Sequence, residues 1–234
     1  MKRILTTASA ALLALGTAAS ASTFSLVGET AGIIPGAGAT NEVLTETFNL
    51  GGAAGYFGAQ VELDAASDIE VAFFGYEAGF TNSFSFGGVT TTTEVPTLAL
   101  PGLELGLNGD SQSEFAADEA SPLSSYTASG IGAGLLDFSF LTSGSAGGVV
   151  NGFNPDNSLV DANFFVSFGR DSLRQSIFLF FDDGGAENDD NHDDLVVRLT
   201  IGNGQTEPNP VPLPATGLLL LGALGGMRMM KRRS

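Results

Sequence analysis

The sequence predicts an all-β protein: a single antiparallel domain of β-sandwich or jelly-roll type, with a signal helix at the N-terminus and a hydrophobic helix at the C-terminus. Three observations lead there. Apolar residues between about residues 57 and 201 recur with period two, the signature of half-buried strands. Glycine, 32 of 234 residues, punctuates those runs. No long amphipathic helical pattern interrupts them.

The runs justify the elements in order. Phe57, Ala59, Val61 and Leu63 alternate with Gly58, Gln60 and Glu62. Ile69, Val71 and Phe73 alternate with Asp68, Glu70 and Ala72. Phe84 and Phe86 alternate with serines, and Phe138 and Phe140 flank Ser139. Thr90 to Thr93 suggest an exposed strand or a connector. Phe164, Val166 and Phe168 form another run. Ile177 to Phe181 is continuously apolar, as expected of a central strand covered on both faces. Leu195, Val197, Leu199 and Ile201 form the strand that returns. Residues 101–130 are less periodic and read as a long loop or insertion, with EFAADEA (114–120) able to make a short helix. The 18 phenylalanines are expected to fill the core.

Composition excludes several functions. Without cysteine there is no disulfide framework, thiolate nucleophile or cysteine-based zinc site. One histidine cannot make a multi-histidine centre. A net charge of −17 argues against binding nucleic acid. The charge is unevenly placed. No acidic residue lies in 1–21 or 211–234, and the only basic residues between are Arg170, Arg174 and Arg198. Three arginines against 26 carboxylates leave residues 22–210 at −23, with no lysine. A salty or calcium-containing exterior would relieve that repulsion.

The two ends read as addresses. In 1–21, Lys2 and Arg3 precede an apolar stretch, and Ala19-Ser20-Ala21 fits an A-x-A cleavage site for signal peptidase. The body, 22–202, follows, then a Pro-rich linker over 203–210. The segment 211–234 has three parts: Val211, Pro212, Leu213, Pro214 and Ala215; an uncharged apolar run over 216–227; and a basic tail of Arg228, Lys231, Arg232 and Arg233. The tail should stay cytoplasmic by the positive-inside rule. Even counted from Val211, the uncharged run is about 17 residues, at the lower limit for spanning a bilayer as a helix; an ordinary membrane anchor is the alternative.

This order of parts resembles the PEP-CTERM class of bacterial sorting signals, in its VPLPA variant. The resemblance implies recognition by an exosortase, transient membrane insertion, removal of the tail, and delivery to the cell surface or extracellular matrix of a Gram-negative bacterium. Leu213-Pro214-Ala215-Thr216-Gly217 also fits the LPxTG motif of Gram-positive sorting. The short apolar run and the preceding Val211-Pro212 favour the exosortase.

One constellation carries chemistry. The loop after Phe181 holds Asp182, Asp183, Glu187, Asp189, Asp190, Asp193 and Asp194. So many carboxylates repel one another, and a hard cation reverses the repulsion. Calcium takes six to eight oxygens, and these seven residues are its expected ligands. Asn188, Asn191 and backbone carbonyls would complete the shell. The spacing fits no EF-hand and only partly resembles the GGxGxD turn of calcium β-rolls. The alternative is a solvated acidic turn that discourages edge-to-edge association. The hairpin around this loop, and FFGYEAGFTNSFSF at 73–86, resemble a poorly characterised all-β domain common in PEP-CTERM proteins. That resemblance implies no reaction. Arg198 is expected to pair with a loop carboxylate or lie on an exposed face, Glu77 to be buried and bonded, and Asn82 to cap a turn.

No catalytic machinery is recognisable. His192 is the only imidazole, no G-x-S-x-G elbow occurs, and His192 reads as a spare loop residue. GIGAG at 130–134 reads as a loop rather than a nucleotide site. Glycoside hydrolysis needs only two carboxylates, but the chain has no tryptophan and only Tyr56, Tyr76 and Tyr126 for a sugar platform. The expectation is a non-enzymatic, exported, calcium-stabilised structural protein of the biofilm matrix. The alternatives are a carbohydrate-binding or adhesive module for exopolysaccharide and, further off, a polysaccharide hydrolase.

Overall fold

The structure is a computed structural model that describes residues 21–92, 112–144, 146–186 and 190–202. Residues Ser22–Gly204 belong to one compact unit. It is all-β, with every strand pair antiparallel. The signal segment before Ala21, the linker and the sorting segment lie outside the described residues. Among the described residues no helix is long and apolar enough to cross a membrane.

Among the described residues, fifteen strands form three sheets. The largest runs β2 (Thr30–Ile34), β3 (Ala53–Phe57), β13 (Asn163–Ser167), β14 (Ser176–Asp182), β15 (Leu195–Ile201), β5 (Ser67–Ala78) and β8 (Gln112–Phe115), with β9 (Ser124–Ile131) also pairing β5. A four-stranded sheet is ordered β12 (Gly148–Val150), β11 (Phe138–Thr142), β6 (Asn82–Phe86) and β7 (Val89–Thr92). A three-stranded sheet is ordered β1 (Phe24–Val27), β4 (Gln60–Leu63) and β10 (Gly134–Leu135).

Alternation along the central strands assigns each side chain to one of two apolar clusters. Ile177, Leu179 and Phe181 of β14 enter one cluster, and Phe178 and Phe180 enter the other. The first cluster draws residues from all three sheets: Phe164 from β13, Phe84 and Phe140 from the four-stranded sheet, Phe24 and Val61 from the three-stranded one. Phe140 stacks on Phe181 with centroids 4.7 Å apart and planes 7° from parallel. The second cluster lies on the opposite face of the large sheet. There Val43 and Leu44, from a helical turn at Val43–Thr47, join Phe57, Phe74, Phe165, Phe178 and Phe180. Phenylalanine therefore fills both cores, and β14 is covered on both faces as its unbroken apolar run predicts.

Two asparagines, Asn151 buried and Asn154 half-buried, tie the smaller pieces to this frame. Asn151 accepts the Val61 N–H at 2.7 Å and donates to the carbonyls of Val61 and Leu136, both at 2.8 Å. Asn154 accepts the Phe164 N–H and donates to the carbonyls of Phe164 and Ala59. Each does for an irregular stretch what a strand partner does for a regular one.

Four expectations are corrected. The run from Phe57 to Leu63 is two strands: Gly58, at φ +64°, turns the chain so that Phe57 packs in one cluster and Ala59, Val61 and Leu63 in the other. The interval 101–130 carries two strands, β8 and β9, beside β5; their polar, weakly periodic sequence is tolerated because both lie at the sheet's margin. The segment 114–120 makes no helix, because Glu114 and Phe115 pair with Tyr76 and Gly75. Arg198 meets neither expectation. Its guanidinium lies 4.9 Å from the Phe74 ring centroid and 5.9 Å from that of Phe178, with Glu119 Oε1 at 3.9 Å. It closes over the second cluster as a cation on aromatic faces.

One irregularity bears on the site. Val196 pairs with Gly75 and Val197 with Phe73, so Phe74 is an extra residue in β5. This bulge resets the alternation. Ile69, Val71 and Phe73 share the first cluster with Tyr76 and Ala78 beyond it, and Glu77 falls on the other face.

Candidate functional site

The described acids of the β14–β15 loop are mostly buried. Asp182, His192 and Asp193 have no exposed surface, and Asp183, Asn191 and Asp194 are nearly as enclosed. These described acids are therefore not solvated, and His192 is not a spare loop residue: its ring packs 5.4 Å from Phe57 and 6.2 Å from Phe165, centroid to centroid.

The segment after β2 clasps the loop and explains the burial. The Gly36 N–H donates to the Asp190 carbonyl at 2.8 Å. Asn41 Nδ2 donates to the carbonyls of Asn191 (2.8 Å) and His192 (3.1 Å), while Asn41 Oδ1 accepts the Leu44 N–H and caps the helical turn. The Glu42 N–H donates to Asp193 Oδ2 at 2.7 Å. Asp190 and His192 hold left-handed backbone, φ +48° and +60°, conformations that Asp and His adopt more readily than most residues. A side chain at Gly36 would strike the Asp190 carboxylate, so that glycine makes room for it.

The described acidic residues sort into three groups rather than one shell. In the first, Asp183 and Asp194 are structural. The Asp183 N–H donates to Asp194 Oδ2 at 2.7 Å, and Asn82 Nδ2 donates to Asp183 Oδ2 at 2.6 Å. Asn82 thus braces the loop rather than capping a turn. Burial pushes the Asp194 carboxyl well above the usual range, and the neighbouring Asp183, Asp182 and Asp193 add to it.

The second group is Glu42, Glu77 and Asp193, whose carboxylate oxygens lie within 4.8 Å of one another. The bulge in β5 supplies Glu77, the capped turn supplies Glu42, and the Glu77 N–H to Asp193 carbonyl bond (2.9 Å) fixes the third. Asp193 Oδ1 is fully buried and accepts no hydrogen bond. Burial, then the Glu42 carboxyl, push the Asp193 carboxyl up to about 9. The arrangement demands a proton or a cation.

The third group is Asp182, Asp190 and His192, again within 4.8 Å. Asp182 Oδ1 accepts the Gly184 and Gly185 N–H groups, which turns Oδ2 inward. His192 Nδ1 stands 3.7 Å from Asp182 Oδ2 and 3.7 Å from Asp190 Oδ1. Burial pushes the imidazole down to about 3, against the Asp190 backbone. Burial also raises Asp190, which a bond from Asn157 opposes.

Of the seven expected ligands, Glu187 and Asp189 lie outside the described residues. Glu42 and His192 were not foreseen as partners of the acids. Glu42 stands in a stretch without periodicity, and nothing in its spacing connects it to Asp193. No family model, curated protein or solved structure matches the chain.

Proposed function

We propose that this chain is an exported, surface- or matrix-associated structural protein whose β domain is braced by calcium. The observation that carries the brace is Asp193 Oδ1, buried without a hydrogen bond and facing Glu42 and Glu77. Three carboxylates from separate segments converge there, an all-oxygen donor set suited to a hard cation. A cation at that point would join the helical turn, β5 and the β14–β15 hairpin. Export rests on the N-terminal cleavage motif at Ala19 and Ala21. Sorting by an exosortase rests on Val211 to Ala215, the apolar run and the basic tail. The domain reads as a sandwich, supported by a first apolar cluster that draws on all three sheets. Its role is read as non-catalytic.

A thermal melt of the metal-free full chain, with calcium against magnesium, tests the brace. Calcium should raise the midpoint by several degrees, and Glu42→Gln should abolish the rise. A midpoint indifferent to calcium removes the brace. Intact mass of the exported protein tests the address: it should begin at Ser22 and lack residues 216–234. A retained tail removes the exosortase reading.

The carbohydrate-binding alternative has one feature in its favour. Ser85, Gly87, Gly130, Asp137 and Ser139 line an open groove beside β6 and β11. Phe86 and Phe138, also in its lining, are buried beneath it, so the groove offers hydrogen bonds without a stacking surface.

A further inference from the structure

We propose that Asp182, Asp190 and His192 form a second cation site, with one nitrogen and two oxygen ligands, that takes a zinc-class divalent ion. The inference stands independently of the calcium brace, which uses other residues.

The argument starts at the far side of the imidazole. His192 Nε2 lies 2.9 Å from Asn163 Oδ1. The Asn163 amide is oriented by its own bond, Nδ2 donating to the Asp161 carbonyl at 3.3 Å. Its Oδ1 therefore faces the ring as an acceptor, and Nε2 carries the hydrogen. Nδ1 is left with a lone pair, aimed into the group.

What Nδ1 meets is two more acceptors. At 3.7 Å neither carboxylate oxygen is within hydrogen-bonding distance of it. Nδ1 makes no hydrogen bond, and neither does Asp190 Oδ1. A lone pair in a fully buried ring, facing two carboxylate oxygens, is a repulsive arrangement that one cation converts to an attractive one. The donor set selects the ion. Calcium and magnesium prefer oxygen alone, whereas imidazole with carboxylates suits zinc. A tetrahedral ion with bonds of about 2.0–2.1 Å spaces its ligand atoms about 3.3–3.4 Å apart. Nδ1 and each oxygen need to approach by only a few tenths of an ångström.

The surroundings are those of a supported metal ligand. Asn163 fixes the ring's tautomer and orientation. Gly184 and Gly185 fix Asp182, and Gly36 leaves room for Asp190. Phe57 and Phe165 wall the ring off from water. Asp190, whose side chain is 27% exposed, gives the ion its way in.

His192 is the only histidine in the chain, so its ring nitrogens can be watched without assignment. The full chain, labelled with ¹⁵N-histidine and stripped of metal, should show the Nε2–H tautomer. One equivalent of zinc chloride should shift the Nδ1 resonance strongly and leave Nε2 protonated. Calcium chloride should not. Asp190→Asn keeps a residue tolerant of left-handed backbone and should weaken zinc at least tenfold. Asp182→Asn, which presents an N–H₂ to Nδ1, should do the same if Asp190→Asn fails to fold. Glu42→Gln should leave the zinc response intact. The proposal is overturned if the imidazole resonances ignore excess zinc, or if a folded aspartate variant responds like the parent.

Discussion

The middle and the C-terminal end of strand β14 make opposite use of burial. Its middle, Ile177 to Phe181, is buried apolar surface between two phenylalanine clusters. Its C-terminal end holds the buried carboxylates Asp182 and Asp183, with Asp193 and Asp194 at the far side of the loop that follows. The first kind of burial stabilises by itself, about 2–3 kcal/mol for each enclosed phenylalanine. The second costs free energy unless every acid finds an N–H, a proton or a cation. Asp183 and Asp194 find N–H groups. Asp193 Oδ1, Asp190 Oδ1 and His192 Nδ1 accept no hydrogen bond.

The largest expected effect breaks that symmetry through pH. Asp193 is raised from its ordinary 3.8 to about 9, so the folded state favours its protonated form. The penalty is absent below about pH 4, grows as pH rises, and is complete above about 9. The fall follows the difference in bound protons between the folded and unfolded states. Urea midpoints of the metal-free protein should therefore be higher at pH 5 than at pH 8. Asp193→Asn should flatten the slope, leaving the shares due to Asp194, whose carboxyl burial also raises, and to the net charge. A midpoint that rises with pH contradicts this account of the cluster.

Truncating the apolar end comes next. Phe140→Ala removes the ring stacked on Phe181 and should lower stability by about 3–5 kcal/mol, read by urea unfolding. Unlike the acid cluster, that loss should not depend on pH or added metal. Asn82→Ala is smaller. It strips the Asp183 carboxylate of a buried donor and should cost about 1–3 kcal/mol by the same measurement. Arg198→Gln is the smallest, about 0.5–1 kcal/mol, since it removes a partly exposed cation from two aromatic faces.

The same contrast decides what the sequence discloses. Period-two alternation identifies β14, β15 and β11, because each side chain's environment is set by its parity. Parity also misleads where one residue breaks it. Gly58 divides a run that looks continuous, and the extra Phe74 turns Glu77 to the opposite face. The acidic loop is visible as a concentration of charge, but charge alone suggests solvation. Its burial depends on Gly36, Asn41 and Glu42, which sit in an aperiodic stretch far off in sequence. His192 is unreadable for the same reason: its role is fixed by Asn163 and by two turns in the backbone, none of which has a pattern.

The scarcity of basic residues has a further consequence, for proteolysis. Between residues 22 and 210 a protease that cuts after lysine or arginine has three places to act. Arg198 lies within a strand paired on both sides, its guanidinium resting on aromatic rings. Arg170 and Arg174 share the exposed turn between β13 and β14, where Asp171 accepts three backbone N–H groups. The native domain thus offers such enzymes one short turn. A cut there leaves both flanking strands paired to their neighbours, so digestion should stall at two associated fragments.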